Sequence, residues 1–195
     1  MSTETCIRTN RKYTQSEGTL TAMKLQEMIG LAVYEVEEGN EIGKIVDILL
    51  DSNWNITGIE LESKAFFSSH VKVVAWEDIV AYGEDAVMIR SKESIVKADT
   101  DHIPYTFLLG KKKLKDLQVL TASGTILGRV SDVYFDQKLG NTIVALEISD
   151  GLVTDLIEGR KWLPCSEGMS IGENSVLVPA MSEERLQKAI NIVNG

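Results

Sequence analysis

The sequence is poor in the residues that most often carry chemistry. It has two cysteines, two histidines and three prolines, and aromatic residues make up only 6% of its 195 positions. Cys6 and Cys165 lie one in an N-terminal extension and one in the body of the chain. A structural disulfide is therefore not expected in a reducing compartment, and both read as free thiols. His70 and His102 stand without a second His or Cys at metal-ligand spacing, so zinc binding and histidine-based nucleophilic catalysis lack support, and each reads as a surface or loop residue. Cys165 follows Pro164 and has no histidine beside it in sequence to depress its pKa. It reads as an inert, partly buried thiol.

Long apolar runs are also missing. A bilayer-spanning helix needs roughly 18 to 20 apolar residues, and the most apolar stretch here, Ile45 to Leu50, is interrupted by Asp47. Positive charge is in deficit: 20 Lys and Arg stand against 29 Asp and Glu, giving a net charge of −9. Binding to a phosphate backbone is driven by Lys and Arg releasing counterions, so an acidic chain disfavours nucleic acid as its partner. Residues 1–22 lack the apolar segment of a secretory signal and read as a loosely ordered extension, with Met23 an alternative start. A cytoplasmic location is the default expectation. There is no Gly-x-Gly-x-x-Gly pattern, and Gly110-Lys111-Lys112-Lys113 lacks the first glycine and the hydroxyl residue of a phosphate-binding loop. It reads as a solvated charge run, and no cofactor is expected.

What is present is an ordinary core-forming composition, 44% hydrophobic with 25% charged, arranged as an internal repeat. Ile42 to Asp51 reads Ile-Gly-Lys-Ile-Val-Asp-Ile-Leu-Leu-Asp, and Leu127 to Asp136 reads Leu-Gly-Arg-Val-Ser-Asp-Val-Tyr-Phe-Asp, 85 positions further on. Only the Val46/Ser131 and Leu49/Tyr134 pairs are dissimilar. Ile59-Glu60-Leu61 then matches Leu146-Glu147-Ile148, and Gly83 to Ile89 matches Gly172 to Val178. The order is kept and the drift falls in loops. Two similar domains, 23–91 and 114–195, joined by a polar linker over 92–113, fit this pattern better than one fused core.

Within a copy the periodicity is that of strands. Val46, Ile48 and Leu50 alternate with Ile45, Asp47, Leu49 and Asp51, so the first set is expected to line the core. Leu31 to Val36 pairs with this strand through the Glu38-Gly39-Asn40 turn. Ile56 to Glu62, Val71 to Ala75 and Ala86 to Ile89 supply further strands. Short strands at this spacing predict an all-β fold of two small, mostly antiparallel barrels in tandem, closed or nearly so. A short C-terminal α-helix is expected after Ser182, with Leu186, Ala189, Ile190 and Val193 at helical spacing.

Two segments resemble the PRC-barrel family, known from the photosynthetic reaction centre H subunit and from the C-terminal domain of a ribosome maturation factor. One is the glycine-led strand, Gly43 to Ile48 and again Gly128 to Val133. The other is Val73 to Val87, similar to the family's apolar strand, acidic short turn and glycine before the closing strand. The second copy departs there, with Trp162 to Gly168 in that register, so its closing region is expected to be bent or shortened. The resemblance implies assembly or adaptor modules with no shared catalytic centre.

The candidate sites are few. Asp47 with Asp51, and Asp132 with Asp136, place two carboxylates four residues apart on one strand. They are weak metal candidates, since a hard cation needs several more oxygen ligands. The favoured reading has them facing solvent or pairing with Lys44 and Arg129. Trp54, in a turn, and Phe66 with Phe67, beside two serines, are apolar residues in loops and hence candidate interface residues. An inter-barrel or homodimer contact is weighed ahead of an external one. The function expected is a non-catalytic interaction or adaptor protein that binds a protein partner through barrel loops. The alternatives are a ribosome-assembly accessory factor that binds a basic ribosomal protein, and a metal- or small-ligand-responsive protein that uses the paired aspartates.

Overall fold

β-branched residues and alternating polarity make strands wherever the repeat is strongest. The computed structural model describes residues 22–63, 69–136 and 140–188. In chain order the first half carries β1 (Ala22–Lys24), α1 (Leu25–Met28), β2 (Ala32–Glu35), β3 (Glu41–Leu50), β4 (Ile56–Leu61), β5 (His70–Ala75), β6 (Ile79–Tyr82), β7 (Ala86–Ile89) and β8 (Ile95–Asp99). The second half carries β9 (Tyr105–Thr106), β10 (Gln118–Thr121), β11 (Ile126–Asp136), β12 (Ile143–Ser149), α2 (Leu152–Glu158), β13 (Lys161–Pro164), β14 (Ser170–Ile171), β15 (Ser175–Val178) and β16 (Gln187–Lys188).

These strands form two sheets of one topology, β6-β7-β2-β3-β4-β5-β8 and β14-β15-β10-β11-β12-β13-β16. Every pairing is antiparallel except β2 with β7 and β10 with β15. The fold is predominantly β, and the duplication is complete. Closure is not: each ladder keeps two ends. The end strands run only two to five residues, short edges that offer little to a wrong partner. In the second copy β14 is two residues where β6 is four, the shortening expected there.

The repeat extends further than the sequence reading took it. Residues 92–113, read as a linker, hold β8, which pairs with β5, and β9, which pairs with β3. The C-terminal helix is not formed over its described part. The N–H of Arg185 bonds to the carbonyl of Ser182, and the chain then enters β16 against β13. This repeats the first unit, where the N–H of Ser94 bonds to the carbonyl of Ser91 before β8. The exposed edge of β13 offers unpaired backbone groups, and pairing there outweighs the helical spacing. Residues 189–195 lie outside the described residues, as does the extension over 1–22 apart from Ala22.

A bulge also shifts the expected core face. Ladder register slips between Ile45 and Asp47, and in the second copy between Val130 and Asp132. Ile45 therefore joins Ile48 and Leu50 in the core while Val46 is only half-buried. An extra residue in one strand reverses the alternation on one side of it. Val46 and Ser131 are the bulged residues, which explains why that repeat pair is free to differ.

The two sheets share one apolar cluster. Leu25, Ile48, Ile59, Phe107, Val133, Phe135 and Leu146 all belong to it, so the separate cores expected from a linked pair are replaced by a common one. Trp76 and Tyr82 of the first unit pack around Phe135 of the second, with ring centroids 5.8 and 5.7 Å away. The tips of the β3–β4 and β11–β12 turns exchange backbone bonds, Ile56 N–H to Asn141 and Ile143 N–H to Trp54, at 2.8 and 2.9 Å. Above all, the units trade leading segments. β1, which precedes the first unit, pairs with β11 of the second, and β9, which precedes the second, pairs with β3 of the first.

Candidate functional site

The exchange of segments explains the duplicated aspartates. Asp47 is fully buried and accepts the backbone N–H groups of Leu108 at 2.8 Å, Leu109 at 2.7 Å and Ile48 at 2.8 Å. Asp132 is 3% exposed and accepts those of Gln26 at 3.2 Å and Val133 at 2.8 Å. Each carboxylate thus holds the backbone just after the strand that arrives from the other unit, β9 for Asp47 and β1 for Asp132. Burial pushes both carboxyls up against the opposing pull of these N–H groups, Asp132 to about 6. The expectation that these groups face solvent is overturned, because an incoming segment covers that face. No ion pair joins them to Lys44 or Arg129 among the described residues; Arg129 instead donates to the carbonyl of Asp116.

Asp51 does different work. Its carboxylate accepts the N–H groups of Asn53 and Asn55 at 2.8 and 2.9 Å and so shapes the β3–β4 turn. Asp136 is buried at the end of β11, opposite Ala22. Among the described residues no three His, Cys, Asp or Glu side chains converge in a way that holds a metal ion. His70 and His102 are exposed, and Cys165 is a half-buried thiol packed against the core.

Two glutamates that the sequence reading passed over carry the strongest electrostatics. Glu147, on β12, is 2% exposed. It receives Lys24 Nζ, Arg160 Nη1 and the Tyr134 hydroxyl, each at 2.7 Å, and the Ser131 hydroxyl at 2.9 Å. Burial alone would raise its pKa, but these four donors outweigh burial and hold it at about 2. Glu60 occupies the same place on β4. It is half-buried, accepts no hydrogen bond among the described residues, and is raised to about 7 by burial and by the charge of Asp47. The sequence signal was there: each acid sits between two apolar residues at matching points of the repeat.

The apolar loop residues divide. Trp54 is buried at 7% exposure, in a turn with φ of 63°, and its indole N–H donates to the carbonyl of Met169 in the second unit at 3.3 Å. Phe66 and Phe67 lie outside the described residues. The equivalent loop of the second copy, between β12 and β13, forms α2 between Gly151 and Gly159, whose positive φ angles end it on both sides. Leu152, Leu156 and Ile157 stand out from it at 84%, 85% and 78% exposure. A run of Leu, Leu and Ile at helical spacing between two glycines could have marked this helix in the sequence. Among the described residues no helix is long and apolar enough to cross a membrane.

The chain matches the PRC-barrel domain twice, over residues 20–96 and 109–185. No curated protein matches it.

Proposed function

The chain belongs to the PRC-barrel family, and we propose that it is a non-catalytic interaction protein that binds a protein partner through the β12–β13 loop. One observation carries this reading: α2 holds three large aliphatic side chains almost fully in solvent, while the other large apolar side chains among the described residues are mostly packed. Scattered exposed residues are ordinary, but a contiguous apolar patch on one short helix marks a contact surface. The first unit carries Phe66 and Phe67 in the matching loop. The chemistry of the other candidates supports the same reading, since the aspartates are engaged in holding the fold together.

The test is a double substitution, Leu156→Asp with Ile157→Asp, in the full chain. Both side chains are exposed, so the fold should keep its stability to within about 0.5 kcal/mol. Capture from native extract at several salt concentrations should retain a specific protein on the parent chain and lose it on the variant. A parent chain that retains no specific protein at any salt, or a variant that retains the same one equally, overturns the proposal.

A further inference from the structure

Because the fold is duplicated, each unit serves as the reference for the other. Glu60 and Glu147 are cross-strand neighbours of Asp47 and Asp132 respectively, in the same register of the same ladder. Yet every group that neutralises Glu147 is exchanged in the first unit. Val46 stands where Ser131 does, and Leu49 where Tyr134 does. Thr106 pairs with Leu49 as Lys24 pairs with Tyr134, so the incoming segment brings a hydroxyl in place of an ammonium. That hydroxyl donates to the carbonyl of Leu109. Val71 takes the place of Arg160, two residues before the cross-strand partner of each glutamate, Val73 and Trp162.

Among the described residues, the cations on the neighbouring strands do not make good the loss. Lys72 and Lys97 on β5 and β8 are exposed and pair across the ladder with each other. Lys72 neighbours Val73 along its strand and so projects from the opposite face. Lys44 on β3 is exposed as well. No ion pair reaches Glu60 among the described residues. What remains is a half-buried carboxylate without a donor among the described residues, beside a buried aspartate, with buried Leu49 and Val73 on the neighbouring strands.

We propose that Glu60 is the docking point for a lysine or arginine side chain of a partner protein, which supplies in trans the charge that Lys24 and Arg160 supply to Glu147 within the chain. The flanking Leu49 and Val73 suit the aliphatic stem of such a side chain, and Glu60 its charged head. A divalent cation fits less well. It requires several oxygen ligands, and the carboxylate oxygens of Asp47 already accept three backbone N–H groups, which leaves Glu60 alone. The net charge of −9 favours the approach of a basic partner. This site lies on the other unit from α2, so it stands independently of the reading above.

The experiment follows the Glu60 side-chain carboxyl by carbon NMR through a pH titration of the full chain. It is run alone, with N-acetylarginine amide, with magnesium chloride, and with sodium chloride at matched ionic strength. The arginine probe should lower the titration midpoint by about one unit or more beyond the sodium control, a tenfold preference for the ionised carboxyl. Glu60→Gln should weaken binding of the probe at least about tenfold. A midpoint that magnesium lowers and the arginine probe does not, or that neither lowers beyond sodium, overturns the proposal. Thr106→Lys is the second measurement, placing an ammonium where the second unit has Lys24. It should bring the midpoint below the usual glutamate range, and a folded Thr106→Lys chain with an unmoved midpoint also overturns it.

Discussion

The ammonium of Lys24 stands 2.7 Å from the carboxylate of Glu147, although one precedes the first unit and the other lies in the second sheet. The pair closes the exchange of segments with a charge, and its acidic member is almost wholly buried. Removing one partner of such a pair leaves a buried charge short of a donor. Lys24→Met is therefore expected to lower stability by about 1–3 kcal/mol, moderated because Arg160 remains and Lys24 is partly exposed. Urea denaturation of the full chain measures it. An unchanged midpoint would show that the pair contributes nothing.

The two glutamates should give opposite pH dependences. Glu147 is held at about 2, below its ordinary 4.5. Its contribution is therefore complete above about 4.5 and is lost as pH falls toward 2. Glu60 is held up at about 7, so ionising it opposes folding. Stability falls as pH rises from about 4.5 through 7 and is level beyond. Glu60→Gln should match the parent near pH 4 and exceed it by about 1–2 kcal/mol near pH 8, the shift being discounted for partial exposure. Urea midpoints of the parent, Glu60→Gln and Glu147→Gln across this range would separate the two effects. A Glu60→Gln chain no more stable than the parent at pH 8 would contradict the assignment.

Asp47 and Asp51 are close in sequence and should differ in cost. Asp47→Ala strands the buried N–H groups of Leu108 and Leu109 and is expected to lose about 2–4 kcal/mol. Asp51→Ala removes a half-buried turn cap and should lose about 0.5–2 kcal/mol. Hydrogen exchange at the amides of residues 107–109 should accelerate in the first variant and stay unchanged in the second.

The glycines that lead the two central strands are not equivalent either. A Cβ on Gly128 would meet the carbonyl oxygen of Ser149 at 2.5 Å, whereas one on Gly43 finds nothing closer than the flexible side chain of Glu62 at 3.5 Å. Both have positive φ, 134° and 152°, so both alanine variants are strained. Gly128→Ala should cost about 2–4 kcal/mol and Gly43→Ala about 1 kcal/mol. Thermal denaturation of the two variants would rank them.

Much of β2 to β5 was legible because alternation and turn glycines are local signals. β2 to β5 fall where Leu31 to Val36, Gly43 to Asp51, Ile56 to Glu62 and Val71 to Ala75 place them. The missed strand β16 was legible too: Ser91, Glu93 and Lys97 recur as Ser182, Glu184 and Lys188. Helical spacing of Leu186, Ala189, Ile190 and Val193 competed with that weaker repeat and obscured it. The bulge at Val46 had no local mark, since nothing in an apolar strand announces an extra residue. Asp47 reads as solvent-facing for a different reason: the segment that covers its face arrives from about 60 residues further on, and no local pattern announces it.

The sequence by itself determined the duplication, the predominantly β class and the family, because each depends on patterns within about ten residues of one another. Only the tertiary structure decided that each unit lends its leading segment to the other, that one apolar cluster spans both sheets, and that Glu147 is neutralised while its twin is not. Those outcomes depend on contacts between residues some 60 to 120 positions apart, such as Asp47 with Leu108 and Lys24 with Glu147. No local pattern encodes such contacts, since the segment that covers a face must first find it.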